Sequence, residues 1–221
     1  MKNIIIASTS TLSGEKYLEY LLPVSKHLFQ DCSSVLFIPY ARPSGITHNE
    51  YTKTVALAFA KINIKIKGIH EFENTVEAIE NAEGIFVGGG NTFLLVSQMY
   101  GHKIMNLLAE AVKKGIPYLG TSAGSNICGL SMQTTNDMPI VYPPSFQTLG
   151  LVPFNINPHY LDADLTSKHM GETRETRINE FHAFNNIPVL GLREGSWLEV
   201  KGTQITLRGG LGSSLNVVEK Y

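Results

Sequence analysis

Two cysteines, Cys32 and Cys128, are all that the 221 residues contain. They build neither a disulfide framework nor a multi-cysteine zinc site, and they fit a reducing, cytoplasmic compartment. No stretch approaches the roughly 20 consecutive apolar residues that cross a bilayer. The opening Met1–Thr9 segment has an apolar run too short for a secretory signal, so no membrane partner is expected. Charge of one sign is lacking as well. With Lys and Arg at 18 and Asp and Glu at 19, the formal net charge is -1, which gives no reason to expect nucleic acid or an anionic surface as partner. Also missing are a Pro-, Gly- or Ser-rich linker, a low-complexity tract and an internal repeat. One domain spanning 1–221 is therefore expected, acting on a small molecule.

What is present is alternation. Short apolar runs at Asn3–Ala7, Val35–Pro39, Ile64–Gly68, Gly84–Val87 and Pro117–Gly120 read as buried strands, each followed by a turn or helix-length segment. Met105, Leu108, Ala109 and Val112 repeat at helical spacing, with Lys113 and Lys114 suited to the helix C-terminus and Gly115 to its stop. The pattern predicts an α/β chain with a mostly parallel sheet and helices on both faces. Beyond Gly150 it loosens: Glu175–Phe184 reads as a helix, Val189–Leu192 as a strand, and Trp197–Val200 with Gln204–Leu207 as a hairpin turning at Lys201, Gly202 and Thr203.

The segment richest in chemistry is Gly120-Thr121-Ser122-Ala123-Gly124, a Gly-x-Ser-x-Gly turn between a buried strand and a helix. Such an elbow lifts a serine hydroxyl off the end of a strand and gathers backbone N–H groups beside it. Glycines flank it because side chains there would collide with the neighbouring strand and helix. The same pentapeptide also fits a tight turn in which Ser122 merely caps the helix. Gly88-Gly89-Gly90, again straight after a strand, is either a flexible turn or a second source of oxyanion donors. In a parallel sheet both turns lie at the carboxyl ends of strands, where ligands bind.

A serine needs a base. Of seven histidines, His27, His48, His70, His102, His169 and His182 lie in or beside segments that read as helices or exposed loops, where solvated or capping roles suffice. His159 follows Pro158 in what reads as a polar loop downstream of the elbow. The acid that would hold its imidazole is either Asp137 or Glu194, and spacing does not decide between them. Asp137 also fits an Asx turn ahead of Pro139, and Glu194 a turn carboxylate beside Arg193. His159 with Asp162 and Asp164 invites a metal reading, which no second nearby histidine supports.

Taken in order, Gly88-Gly89-Gly90-Asn91-Thr92-Phe93, Ser122-Ala123-Gly124, Thr134-Thr135-Asn136-Asp137-Met138-Pro139-Ile140-Val141, Asn157-Pro158-His159 and Gly171-Glu172-Thr173-Arg174 resemble the signatures of the peptidase E family. Ser10-Thr11-Leu12 and Ile38-Pro39-Tyr40-Ala41 fit the same pattern. The resemblance implies a cytoplasmic serine exopeptidase for dipeptides with an N-terminal aspartate, on an architecture like class I glutamine amidotransferases, working without cofactor or metal as a monomer or homodimer. It implies Ser122 as nucleophile, His159 as general base, and Asp137, ranked ahead of Glu194, as the acid. Backbone N–H groups of Gly89 and Ala123 would form the oxyanion hole, and Arg174, with Asn91 beside the glycine turn, would bind substrate. Arg174 could instead pair with Glu172 or Glu175. Thr121 departs from the family pattern, which has an aromatic residue before the serine, and the segment after Gly202 matches less clearly. A cyanophycinase-like β-aspartyl peptidase and a non-catalytic small-molecule-binding module are the alternatives.

Overall fold

The computed structural model describes residues 1–210 other than 165, 167 and 169, so His169 lies outside the described residues. Strands β1 (Asn3–Ala7), β2 (Ser34–Ile38), β3 (Lys65–Gly68), β4 (Ile85–Val87) and β5 (Tyr118–Thr121) form the parallel part of a seven-stranded sheet. The order is β3-β2-β4-β5-β1, continued by β8 (Ser196–Lys201) and β9 (Gln204–Gly209), which are antiparallel to their neighbours. Each expected strand is present within a residue or two of its predicted ends, and β8 and β9 make the expected hairpin.

Burial on both faces explains why the inner strands β1, β2, β4 and β5 are largely apolar rather than alternating, whereas edge strand β3 carries Lys65 and Lys67. In β1, Ile4 and Ile6 join one core while Ile5 and Ala7 join the other. On the first face pack α3 (Thr75–Glu80), α4 (Thr92–Gly101) and α5 (Met105–Lys114), contributing Ile79, Leu95, Met99, Leu108 and Val112. On the second pack α1 (Leu22–Leu28) and α2 (His48–Phe59), contributing Leu28, Tyr51, Val55 and Phe59. The stripe read from α5 is buried as expected. Leu108 and Val112 are 0% exposed, each worth about 1.5–3 kcal/mol on burial, and Gly115, at φ 123°, ends the helix.

One expectation is corrected. The segment leading to His159 is not a loop: Asn155–Pro158 forms β6, which pairs in parallel with β7 (Val189–Leu192) as a separate two-stranded sheet. Its asparagines hide it from a hydrophobicity reading, yet they are buried with partners. Asn155 Oδ1 accepts the Ser131 N–H at 2.8 Å, and Asn157 Nδ2 donates to the Thr134 carbonyl at 2.8 Å and to Asn136 Oδ1 at 2.7 Å. The remaining helices are the short α6 (Ala123–Asn126) and α7 (Arg174–His182), the latter begun by Thr173, whose hydroxyl accepts the Thr176 N–H.

Candidate active site

Ser122 stands between β5 and α6 at φ 54° and ψ −111°, outside the regions open to most side chains at low cost. Such a conformation costs on the order of 1–3 kcal/mol and persists only where the surroundings dictate it. They do. The Ser122 N–H donates to the Ala7 carbonyl at 3.2 Å, the Ser125 hydroxyl shares its single hydrogen between the carbonyls of Ala7 (2.6 Å) and Gly120 (2.8 Å), and the Tyr118 hydroxyl donates to the Gly124 carbonyl at 2.7 Å. A Cβ on Gly120 would strike the Gly124 carbonyl, and one on Gly124 the Val87 carbonyl, so the flanking glycines are demanded by close approach of α6 to β5 and β4. Its neighbours from Tyr118 to Gly129 are buried while Ser122 itself is partly exposed. The serine occupies the N-cap position of α6, as the alternative reading had it, but without a side-chain cap bond, so its hydroxyl is not spent on the helix.

The hydroxyl turns instead to His159, whose Nε2 lies 2.9 Å from Ser122 Oγ. His159 Nδ1 lies 2.7 Å from Glu194 Oε1. A carboxylate accepts, so Nδ1 carries the proton, and Nε2 is left with the lone pair that receives the serine O–H. With side-chain exposures of 38% for His159 and 51% for Glu194, the pair contributes little to folding and acts chiefly by fixing the tautomer. His159 too has a positive φ, 53°. It is pinned by Ser8, fully buried just past β1: the His159 N–H donates to Ser8 Oγ at 2.9 Å, and the Ser8 hydroxyl donates to the Leu192 carbonyl at 2.7 Å.

Gly89 faces this array. A Cβ there would sit 2.9 Å from Ser122 Cβ and 3.5 Å from its Oγ. Among the described residues no acceptor is found for the N–H groups of Gly89 and of Ala123, the residue after the serine.

Asp137 is elsewhere. Its Oδ2 accepts the Thr92 N–H at 2.7 Å, the Thr92 hydroxyl at 2.6 Å and the Thr135 hydroxyl at 3.1 Å, so it holds the first turn of α4, where a negative charge is favourable. The expected ranking of the two acids is therefore reversed in space, Glu194 and not Asp137 meeting the imidazole. Asn91 also has a structural post. As the N-cap of α4 it accepts the Leu94 N–H at 3.0 Å, and its Nδ2 donates to the Met138 carbonyl at 2.9 Å, committing both ends of the amide to the protein.

Arg174, the first residue of α7, is half-buried and lines a cleft of about 570 Å³ with Asn136, Leu161 and Arg177, and a smaller one of about 70 Å³ with Thr135 and Asn157. Asn136 Nδ2 donates to the Pro158 carbonyl at 2.6 Å, so this cleft abuts the strand end that carries His159. Among the described residues Arg174 forms no ion pair with Glu172 or Glu175, and burial followed by the nearby Arg177 charge lowers its pKa. A cation at a helix N-terminus opposes the helix dipole, so helix stability does not account for it. Asp162, named in the metal reading, is gripped by Arg193 through Nε at 2.7 Å and Nη2 at 2.6 Å. A separate cleft of about 640 Å³ lies at Ser34, Lys67 and Glu77 and holds none of these residues.

The sequence model of peptidase family S51 matches residues 4–208. This chain belongs to peptidase family S51. It is 48% identical over 207 residues to Peptidase E of Streptomyces coelicolor, covering 94% of this chain and 84% of that protein. To the probable alpha-aspartyl dipeptidase of Drosophila melanogaster it is 44% identical over 217 residues, covering 97% and 89%. Among solved structures, a peptidase from an acI-B1 actinobacterium superposes with a TM-score of 0.68 at 16% identity, covering 95% of this chain and 88% of that one. A protein from Listeria monocytogenes EGD-e does so at 0.72 and 20% identity, covering 96% and 100%. At these identities the superpositions bear on the fold alone, the mostly parallel sheet with helices on both faces that was expected.

Within this S51 chain, sequence reasoning missed Ser8, which no motif marks: a serine after an apolar strand reads as a strand end. It also read Thr134–Val141 as a signature without its purpose. That segment ties α4 to β6, through Asp137 at Thr92 and through Thr134 Oγ1, which donates to the Ile156 carbonyl at 3.0 Å.

Proposed function

We propose that this protein is a serine-type dipeptidase that hydrolyses dipeptides bearing an N-terminal aspartate, with Ser122 as nucleophile, His159 as general base and Glu194 as the acid that orients it. The observation that carries the reading is the continuous chain from Ser122 Oγ through His159 to Glu194, at 2.9 and 2.7 Å, on a strained elbow. The names Peptidase E and alpha-aspartyl dipeptidase among relatives at 48% and 44% identity support the substrate class. We take the chain to act as one domain, in the cytoplasm, on small peptides, as a monomer or homodimer.

In the first half-reaction Ser122 Oγ bonds to the carbonyl carbon of the aspartyl residue as His159 Nε2 takes its proton. The carbonyl oxygen, now an oxyanion, receives the N–H groups of Gly89 and Ala123. Removing one such donor typically costs about 10²–10³ in turnover. The C–N bond then breaks as His159 returns the proton to the departing amine. Water, deprotonated by the same imidazole, releases aspartate from the acyl-enzyme in the second half. Glu194 stays ionised throughout and stabilises the imidazolium.

Selectivity is assigned to Arg174, whose guanidinium accepts a carboxylate in two-pronged fashion. A neutral first residue leaves that half-buried charge unpaired, a mismatch that can discriminate by about 10⁴-fold. The test is a panel of dipeptides differing only at the first residue, with and without chelator, on wild type, Ser122→Ala and Arg174→Ala. Chelator-insensitive Asp-x cleavage that Ser122→Ala abolishes and Arg174→Ala severely weakens is expected. Fluorophosphonate labelling lost in Ser122→Ala, but with turnover of β-aspartyl linkages only, would move the activity to the cyanophycinase type. Absence of both labelling and turnover would leave a binding module.

A further inference from the structure

Three consecutive glycines are the least self-supporting backbone a chain can present, since each populates positive and negative φ almost equally and brings no side chain to pack. Yet the Gly88-Gly89-Gly90 turn must hold one N–H in register with Ser122. Its ends are pinned by the sheet: the Gly88 N–H donates to the Ile38 carbonyl at 3.3 Å and the Asn91 N–H to the Ala41 carbonyl at 2.7 Å. Between these pins, the only side-chain hydrogen bond to the backbone of the three glycines, among the described residues, comes from Tyr51 on α2, whose hydroxyl donates to the Gly89 carbonyl at 3.2 Å.

Tyr51 is 2% exposed and its ring is fixed on several sides. Phe37 meets it edge-on with centroids 4.9 Å apart, the Arg42 guanidinium carbon lies 4.9 Å above it, and the Tyr17 hydroxyl donates to the Tyr51 oxygen at 3.3 Å. The phenol also explains Gly88. A Cβ at that position would stand 2.5 Å from the Tyr51 hydroxyl oxygen and 2.9 Å from Cζ. Nothing in the core requires a hydroxyl here, since phenylalanine would fill the same space against Phe37.

We infer that Tyr51 is a positioning residue for the oxyanion-binding turn: its hydroxyl holds the Gly89 carbonyl on the α2 side, which fixes the Gly89–Gly90 peptide and so restrains the Gly89 torsions through which the adjoining Gly88–Gly89 peptide could turn its N–H away from Ser122. This rests on the serine-peptidase reading above. The geometry makes two demands. Loss of the hydroxyl should loosen the transition-state contact without touching ground-state binding, and the Gly88 and Tyr51 positions should be coupled, because a Cβ at Gly88 would meet the Tyr51 phenol, its hydroxyl first.

The test compares wild type, Tyr51→Phe, Gly88→Ala and the double variant for Asp-Leu turnover and for the rate of labelling by a fluorophosphonate, whose phosphoryl oxygen needs the same donors. Tyr51→Phe should lower kcat and the labelling rate together by about 10- to 100-fold, the range between a shifted and a missing donor, with KM within about twofold. Gly88→Ala should also lose kcat, and the double variant should lose less than the product of the two losses, because the sharpest clash, with the hydroxyl, is gone while the approaches to Cζ at 2.9 Å and Phe37 Cε2 at 3.0 Å remain. A Tyr51→Phe enzyme with kcat and labelling within about twofold of wild type, or strictly multiplicative losses, overturns the inference. If Tyr51→Phe does not fold, Tyr17→Phe removes the donor behind it, and kcat should fall with KM unmoved; no change there overturns it equally. Wild type that is labelled at Ser122 but leaves Asp-Leu intact sinks the substrate reading while the labelling rates still judge Tyr51. If Ser122 is not labelled at all, both fall.

Discussion

Replacing Ser8 with alanine deletes one oxygen atom from the interior, and its consequences can be worked out bond by bond. The Leu192 carbonyl loses the Ser8 hydroxyl but keeps the Tyr160 N–H at 3.1 Å, so it stays paired. The His159 N–H loses its only acceptor among the described residues. An orphaned buried donor costs about 1–3 kcal/mol. For a chain of this length each kcal/mol moves Tm by about 2–4 °C, so a fall of about 2–12 °C is expected in thermal denaturation followed by circular dichroism. The functional cost should be larger in proportion. His159 sits at φ 53°, a conformation it has no intrinsic reason to keep, and release of its backbone lets the imidazole drift from Ser122. A misplacement of about 1 Å can cost about 10² in rate, and we expect kcat for Asp-Leu to drop by about that factor at a temperature where the variant is fully folded. A Ser8→Ala protein with unchanged Tm and kcat would show that β6 and β7 alone set the histidine, and the reasoning from Ser8 would be wrong.

The two acids can be separated by isosteric amides. Glu194→Gln, which removes the charge from the imidazole and permits the wrong tautomer, should cut kcat by about 10²–10⁴ with little change in Tm. Asp137→Asn should do the reverse, weakening the start of α4 by about 0.3–1 kcal/mol while costing less than about tenfold in kcat; the opposite ranking in a steady-state assay would return Asp137 to the imidazole's side. Burial, then the neighbouring charges of His70 and His102, hold the pKa of His48 below its ordinary 6.5, and burial does the same for His70. The unfolded chain therefore takes up these protons first. Their contribution to stability is full above pH 6.5 and is lost as pH falls through that value toward the lower folded one. His48→Gln should accordingly flatten the decline of Tm between about pH 7 and about pH 5, and an equally steep decline would show that other groups carry it.

The histidine and its acid show where a linear reading stops. The elbow was legible because its chemistry is local: a strand, two glycines that cannot carry a Cβ, and a serine between them occupy five consecutive positions. The inner parallel strands were legible for the same reason, since burial on both faces makes β1, β2, β4 and β5 largely apolar over three to five residues. β6 was not, because Asn155 and Asn157 look like loop residues until Ser131 is brought against the Asn155 amide oxygen and Thr134 and Asn136 against the Asn157 amide nitrogen. Glu194 stands 35 positions from His159, and only the parallel pairing of Pro158 with Leu192 puts the two side by side.

From its order of residues alone, this chain determined an apolar strand-helix alternation, the hydroxyl at the strained turn and the family signatures, because short-range sterics and burial write those into neighbouring positions. Only the tertiary structure decided which carboxylate meets the imidazole, that Ser8 holds the histidine's backbone, and that Tyr51 grips the glycine turn. Those contacts join residues 35 to 151 positions apart, and the physics that selects them, finding partners for buried donors and acceptors inside one packed interior, has no counterpart in local pattern.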